Sequence, residues 1–320
     1  MESTIKGFCD TTIRNYRQLR EEFRYDGDYI NHFAAILYAN SKTDIPTEKI
    51  KRIRTYIKEN TSRMSSFRGD ILYMLSFLLG LEENSRVFAE VLLNVYDELI
   101  EVGFKDSQWL VLSSYALVKH GDSVDRAEYI LRMKEIYDVM KSKYKNIINE
   151  EDYLECALLS LSGTDKNIIN NYIENVFDTL MNLDNFSKNS IQGLTLSLLL
   201  NKNPSSLNRI QQLLLEFNKK NIKISHQFLP LLGVSAGNYI VEEYSANIQN
   251  IIEYLCNEEY EYEYYMDSSF RVFLATSILE YNNNSCNNRS EEKYLNELIV
   301  MGVYSFINSK NQGLMEEVLA

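Results

Sequence analysis

The sequence predicts an all-α protein, a right-handed-type α-solenoid of about seven antiparallel helix hairpins with a period near 40 residues. Three observations carry that expectation. The 320 residues include only 12 glycines and 3 prolines, and long helices exclude both from their interiors. Aromatic residues recur in one register: Tyr56, Tyr96, Tyr137, Phe177, Phe217 and Tyr254 are spaced 40, 41, 40, 40 and 37 residues apart. About twenty residues before each of them lies an apolar, helix-like block.

Taken in order, residues 4–24 form a first helix with Ile5, Cys9, Ile13, Tyr16 and Phe23 inward. The apolar blocks follow: HFAAILYAN, ILYMLSFLLG, WLVLSSYALVKHG, YLECALLSLSG, IQGLTLSLLLN and FLPLLGVSAG. Each ends in Asn or Gly (Asn40, Gly80, Gly121, Gly163, Asn201, Gly237), residues that tolerate the left-handed backbone at a helix end. Asp28, Asp70, Ser107, Asp152, Ser190 and Ser225 precede the blocks as capping candidates. Each block is an A helix, and a B helix carrying the register aromatic follows. In RVFAEVLLNVYDELIEVGF, Phe88, Val91, Leu92, Val95, Tyr96 and Leu99 keep the 3, 4, 7 spacing of one helical face. Periods near 40 mark helical arrays of the HEAT and armadillo kind. Stacked hairpins bury apolar faces that one hairpin alone leaves exposed. Past residue 268 the period decays into a seventh A helix, SSFRVFLATSILEY, a loop, NNNSCNNRSEE, and a last helix, YLNELIVMGVYSFI. No linker interrupts the array, so 1–320 reads as one domain. It has a capping helix in 1–25, six hairpins over 26–260, and a degenerate hairpin and cap over 261–320.

Composition narrows the functional classes. The net charge of −12 is uneven: residues 1–68 hold thirteen Lys/Arg against nine Asp/Glu, whereas residues 238–280 hold nine acids and one base, Arg271. A field of that sign repels nucleic acid over most of the surface. The longest apolar run, ILYMLSFLLGL, is about half the roughly 20 residues of a membrane span. The start has no signal-peptide core, and Cys9, Cys156, Cys256 and Cys286 lie far apart without a C-x-x-C pair. Together these place the chain in a reducing bacterial cytoplasm, with neither nucleic acid nor membrane as partner.

One stretch imitates a catalytic motif. The run LLGVSAG ends in G-x-S-x-G, the pattern of a nucleophile elbow centred on Ser235. The elbow needs a strand before the serine and, in its usual chain order, a histidine after it. Here Ser235 falls in an A-helix block, and His32, His120 and His226 all precede it. Ser235 is therefore read as a helix-end serine. No phosphate-cradling glycine loop occurs, and the three histidines lie in separate repeats, which argues against a transition-metal site or a bound cofactor.

Three constellations remain. In TEKIKRIRTYIKEN, Ile50, Ile53 and Ile57 face inward, and Lys51, Arg54 and Lys58 form a basic stripe. That stripe is a candidate anion contact, with a solvated outer face as the plainer account. The segment NEEYEYEYYMD, 257–267, sets five acids among four tyrosines with no base nearby in sequence. It nominates Glu258, Glu259, Tyr260, Glu261, Tyr262, Glu263, Tyr264 and Asp267 as a contact surface for a basic partner, since tyrosine gives rigid amphipathic area. Finally, Asp28, Asp70, Asp106, Asp152 and Asp267 lie near A-helix starts and would gather on one edge. In a closed α/α toroid such acids form acid/base pairs, but helix capping explains them more simply. Trp109 sits within an A block and belongs to the core.

The stretch 67–118, FRGDILYMLSFLLGLEENSRVFAEVLLNVYDELIEVGFKDSQWLVLSSYALV, resembles an uncharacterised all-helical family of Gram-positive bacteria. The resemblance rests on a leucine- and serine-rich helix followed by a helix ending near Y-x-x-L and Gly-Phe, here Tyr96, Leu99, Gly103 and Phe104. It implies no activity and transfers no catalytic residue. The sequence thus leads to a cytoplasmic helical-repeat interaction protein that binds a peptide or protein partner. The rival is an α/α-toroid enzyme with acids on one rim. The two differ in whether the first and last hairpins touch.

Overall fold

A computed structural model describes residues 2–180, 188–201, 206–235, 239–287 and 293–312. Its regular elements among these residues are all helices. By their contacts the helices divide into two compact units, one of residues 46–200 and one of residues 1–45 with 201–320.

In the 46–200 unit the A helices are α4 (Asp70–Leu81), α6 (Gln108–His120), α8 (Tyr153–Leu161) and α10 (Lys188–Asn201, whose last residue belongs to the other unit). The B helices are α3 (Thr47–Asn60), α5 (Ser85–Glu101), α7 (Arg126–Lys143) and α9 (Lys166–Leu180). From α3 to α8 each helix packs on its sequence neighbour, and α3 also packs on α5, α4 on α6 and α6 on α8. The two kinds of helix bury differently. B helix α5 buries Ala89, Leu92, Val95, Tyr96 and Leu99, a single stripe at 3 and 4 spacing. A helix α6 buries every residue from Trp109 to Leu117, and α4 buries nearly all of Ile71–Gly80. A helix apolar all round belongs in a core, and each buried Leu or Ile there contributes about 1.5–3 kcal/mol.

The other unit contains α1 (Ser3–Glu22), α2 (Asp28–Ser41), α11 (Ser206–Lys219), α12 (Leu229–Ser235), α13 (Val241–Glu258), α14 (Tyr260–Tyr264), α15 (Ser268–Asn287) and α16 (Leu295–Asn311). Here α1 packs against α13 and α15, and α2 against α15 and α16. Helices α1 and α2 therefore meet α15 and α16, elements from opposite ends of the described residues. An aromatic cluster seals that contact: Tyr29 lies 4.6 Å from Phe270 and 5.0 Å from Phe306, and Phe228 stacks on Phe273 at 4.2 Å.

The register aromatics Tyr96, Tyr137, Phe177 and Phe217 are buried, whereas Tyr56 and Tyr254 are half-buried. The register also reaches back forty residues to Tyr16, which is buried on α1. A second aromatic set, ahead of the A helices, packs on the first: Phe67 meets Tyr96 at 4.8 Å and Phe104 meets Tyr137 at 5.7 Å.

Several helix ends differ from the sequence expectation. Ser107 caps α6, accepting from the Leu110 amide at 3.2 Å. Asp28 and Asp70 are instead the first helical residues; Gly27 and Gly69, both at positive φ, hold the cap positions. These turns need a left-handed backbone that only glycine adopts at little cost. Gly163 ends α8 at φ 71°, but Gly121 takes an ordinary φ of −82° and Gly80 is helical. Helix α15 runs on to Asn287, so residues 282–287, expected as loop, are helical. Gly237 lies outside the described residues.

Candidate functional site

The acidic tyrosine segment is a break between two long helices. Helix α13 stops because Glu259 turns extended (φ −146°, ψ 107°), and five helical residues follow before α15 begins. This geometry splits the segment into two faces.

The inner face is tied to α1. Glu259 accepts two hydrogen bonds from the Arg17 guanidinium, at 2.9 and 2.7 Å. Glu261 accepts from the Tyr16 hydroxyl at 2.6 Å and from Arg20 at 2.5 Å. Tyr262 is fully buried, its ring 5.1 Å from His32 and 6.5 Å from Tyr16. Tyr16 and His32 stack at 3.7 Å, nearly parallel. Burial, with Arg20 adding to it, depresses the His32 pKa to about 3, so the ring is neutral. Asp267 closes the segment. It accepts from the Ser269 amide and hydroxyl at 2.9 and 2.8 Å and pairs with Lys310 at 3.1 Å, and these contacts hold its carboxyl below the ordinary range against the opposing effect of burial.

The outer face carries Glu258, Tyr260, Glu263, Tyr264 and, unforeseen, Tyr265. The three tyrosines are 66%, 71% and 77% exposed, and Glu258 and Glu263 are exposed beside them. Tyr260, Glu263 and Tyr264 stand at the i, i+3, i+4 spacing that puts side chains on one helical face. The expectation that no base neutralises the segment is thus corrected. Arg271, just past the segment, donates to the Glu263 carbonyl at 3.3 Å, and α1 supplies Arg17 and Arg20 from more than 240 residues away.

The basic stripe on α3 is also redrawn. Lys51 and Lys58 are exposed, Lys51 beside Glu48 at 3.8 Å. Arg54 leaves the stripe: it is buried, donates to Ser76 Oγ at 2.8 Å, and lies 4.8 Å above the Tyr73 ring and 5.1 Å above Phe77. Position 54 is four residues after Ile50 and three before Ile57, so it shares their core-facing side. Lys51 instead borders a cavity of about 700 Å³ with Lys49, Arg52, Tyr56, Glu59 and Arg86, the last on α5.

The aspartates near A-helix starts have local tasks. Asp28 accepts from Tyr16 at 3.3 Å, and Asp106 accepts from the Tyr96 hydroxyl. Asp152 accepts from the Asn149 amide at 2.9 Å within a capping box. Burial pushes the Asp152 carboxyl up to about 7, and raises its buried neighbour Glu155 well above the ordinary range. Ser235 is the last residue of α12, with helix rather than strand before it. Among the described residues no group of three or more His, Cys, Asp or Glu side chains converges as a metal site, and no helix is long and apolar enough to cross a membrane.

Among the described residues the protein is all-helical, and the α14 break gives it a tyrosine- and acid-rich surface. Residues 15–312 match the family described as Protein of unknown function (DUF4003), and the chain belongs to it. No curated protein and no solved structure matches the chain.

Proposed function

We propose that this protein is a helical-repeat interaction protein of the bacterial, Gram-positive cytoplasm. It binds a basic peptide or protein segment on the outer face of the α14 break. The observation that carries the reading is the exposure of Tyr260, Tyr264 and Tyr265 within six residues, flanked by exposed Glu258 and Glu263. Exposed aromatics of this density suit a contact surface, because tyrosine offers rigid area and a polar tip. The neighbouring carboxylates favour Lys and Arg on the partner. A cytoplasmic setting agrees with Cys9, Cys156 and Cys256 as free thiols.

HEAT-like stacking of a solenoid type is supported by the sequential packing from α3 to α8. The contact of α1 and α2 with α15 and α16 favours the toroid alternative on the point of end-to-end contact. The catalytic half of that alternative gains nothing, because Asp28, Asp106, Asp152 and Asp267 are each occupied by a tyrosine, an amide or a lysine.

The test is affinity capture from native cytoplasm with quantitative mass spectrometry. Wild type is compared with the Tyr260→Ser/Tyr264→Ser/Tyr265→Ser variant and with Glu258→Gln/Glu263→Gln. A partner with a basic segment should be lost from the tyrosine variant. On wild type its recovery should fall as salt rises from about 0.1 M to about 1 M, where the Debye length shortens from ~10 to ~3 Å. Equal recovery on wild type and both variants at every salt concentration refutes the proposal.

A further inference from the structure

The cavity between α3 and the first turn of α5 gathers cations in a chain whose net charge is −12. Lys49, Lys51, Arg52 and Arg86 line it against a single acid, Glu59. Lys51 lies 3.8 Å from the Glu48 carboxylate, and the other three bases are anchored in ways that leave donors over. Lys49 Nζ donates once, to the Glu82 carbonyl. Arg52 uses its Nε on the Glu48 carbonyl at 3.2 Å. The Arg86 guanidinium lies 5.3 Å over the Tyr56 ring, a stack that orients it and spends no N–H group.

A second feature adds to the side chains. Helix α5, 17 residues long, begins at the cavity with Ser85 and Arg86 in its lining. Its preceding residue, Asn84, makes no side-chain cap, and its first turn contains no acid. The free amide end of a helix attracts anions through its N–H groups and its dipole. Arginine forks, lysine ammonium groups and helix amides together are the donor set of a phosphate site. The volume of about 700 Å³ is within the roughly 300–1,000 Å³ of small-molecule sites.

The geometry points to a binding site for a short phosphate chain, free or carried on a nucleoside, in the α3–α5 cavity. It lies within the 46–200 unit and uses no part of the tyrosine surface, so it stands or falls apart from the proposed function.

Isothermal titration calorimetry at low salt and without magnesium tests it, using inorganic tripolyphosphate, a nucleoside triphosphate and orthophosphate as probes. Tripolyphosphate should bind one to one and more tightly than orthophosphate. Arg52→Ala/Arg86→Ala should weaken it at least about tenfold, as loss of charge-assisted contacts requires. Glu59→Gln should strengthen it, and Lys219→Ala, in the other unit, should leave it unchanged. A nucleoside triphosphate that binds more tightly than tripolyphosphate assigns the base a place in the cavity; equal affinity assigns the site to the phosphate chain alone. Circular dichroism confirms that the double variant is folded. Absence of tripolyphosphate binding at millimolar concentration overturns the proposal. So does unchanged affinity in the folded double variant, or weakening by Glu59→Gln.

Discussion

Tyr262 provides the sharpest check on how the break at α14 is held. Its side chain is fully buried, its ring packs on His32 and Tyr16, and its hydroxyl has no hydrogen-bond partner among the described residues. The two halves of the side chain therefore work in opposite directions. Truncation to alanine removes the ring and leaves a cavity, a loss of about 3–5 kcal/mol for a core aromatic. Removing only the hydroxyl, in Tyr262→Phe, relieves a buried unsatisfied donor that costs about 1–3 kcal/mol. The phenylalanine variant should thus be at least as stable as wild type, and the alanine variant markedly less so. Trp109 lies in the 46–200 unit, so its fluorescence reports the wrong region. Urea unfolding followed by hydrogen exchange of α1 and α14 reports the right one. If Tyr262→Phe destabilised this region by more than about 1 kcal/mol, the hydroxyl would have a partner and the stacking account of the α14 break would fail.

Two further outcomes follow from buried groups in the 46–200 unit. Phe177, 5% exposed and 5.3 Å from the Tyr144 ring, should cost about 3–5 kcal/mol when replaced by alanine; a loss below about 1 kcal/mol in urea titration would place it outside the core. Glu155 is 3% exposed with Oε1 unpartnered, and burial raises its pKa above the unfolded value. The folded state then binds more protons than the unfolded state, so stability falls as pH rises through the interval between the two values. Glu155→Gln removes that slope, and its advantage over wild type, read from urea midpoints at pH 5 and pH 8, should grow with pH; an advantage that shrinks would refute the assignment.

The sequence reveals most where local periodicity and burial agree. A and B helices were legible because an all-apolar block and a one-sided amphipathic helix differ in pattern, and the 40-residue register located their buried aromatics. Tyr16 obeys the same register, but no apolar A block precedes its helix, so the sequence pattern marks that helix as a cap and not as kin to the helix of Tyr56. Arg54 joins the basic stripe by charge but not by position: at four residues from Ile50 it faces the core, where two aromatic rings and Ser76 receive its guanidinium. Arg86 joins Lys51 only through the packing of α3 and α5, and no spacing rule within one helix reaches it. Helix starts at Gly27 and Gly69 were read from the neighbouring aspartates, since positive φ is a property of the backbone that a carboxylate next door does not announce.

The charge asymmetry of the sequence finds its meaning in the same way. The excess of bases in residues 1–68 and the excess of acids in residues 238–280 are far apart along the chain. In the folded unit, Arg17 and Arg20 of α1 meet Glu259 and Glu261, and Lys310 of α16 meets Asp267. Three of the five acids of the segment therefore serve its attachment to the helices of its own chain. These pairs keep substantial solvent exposure on the basic side, so their individual energies are small; their value is directional. They fix which side of a five-residue helix faces inward, and Tyr262 goes in with them. The opposite side has no such assignment, and it is where Glu258, Glu263 and three exposed tyrosines remain. Any partner drawn to this surface meets two carboxylates rather than five, with an aromatic area between them. Its attraction should then rest on the tyrosines for hold and on the acids for approach.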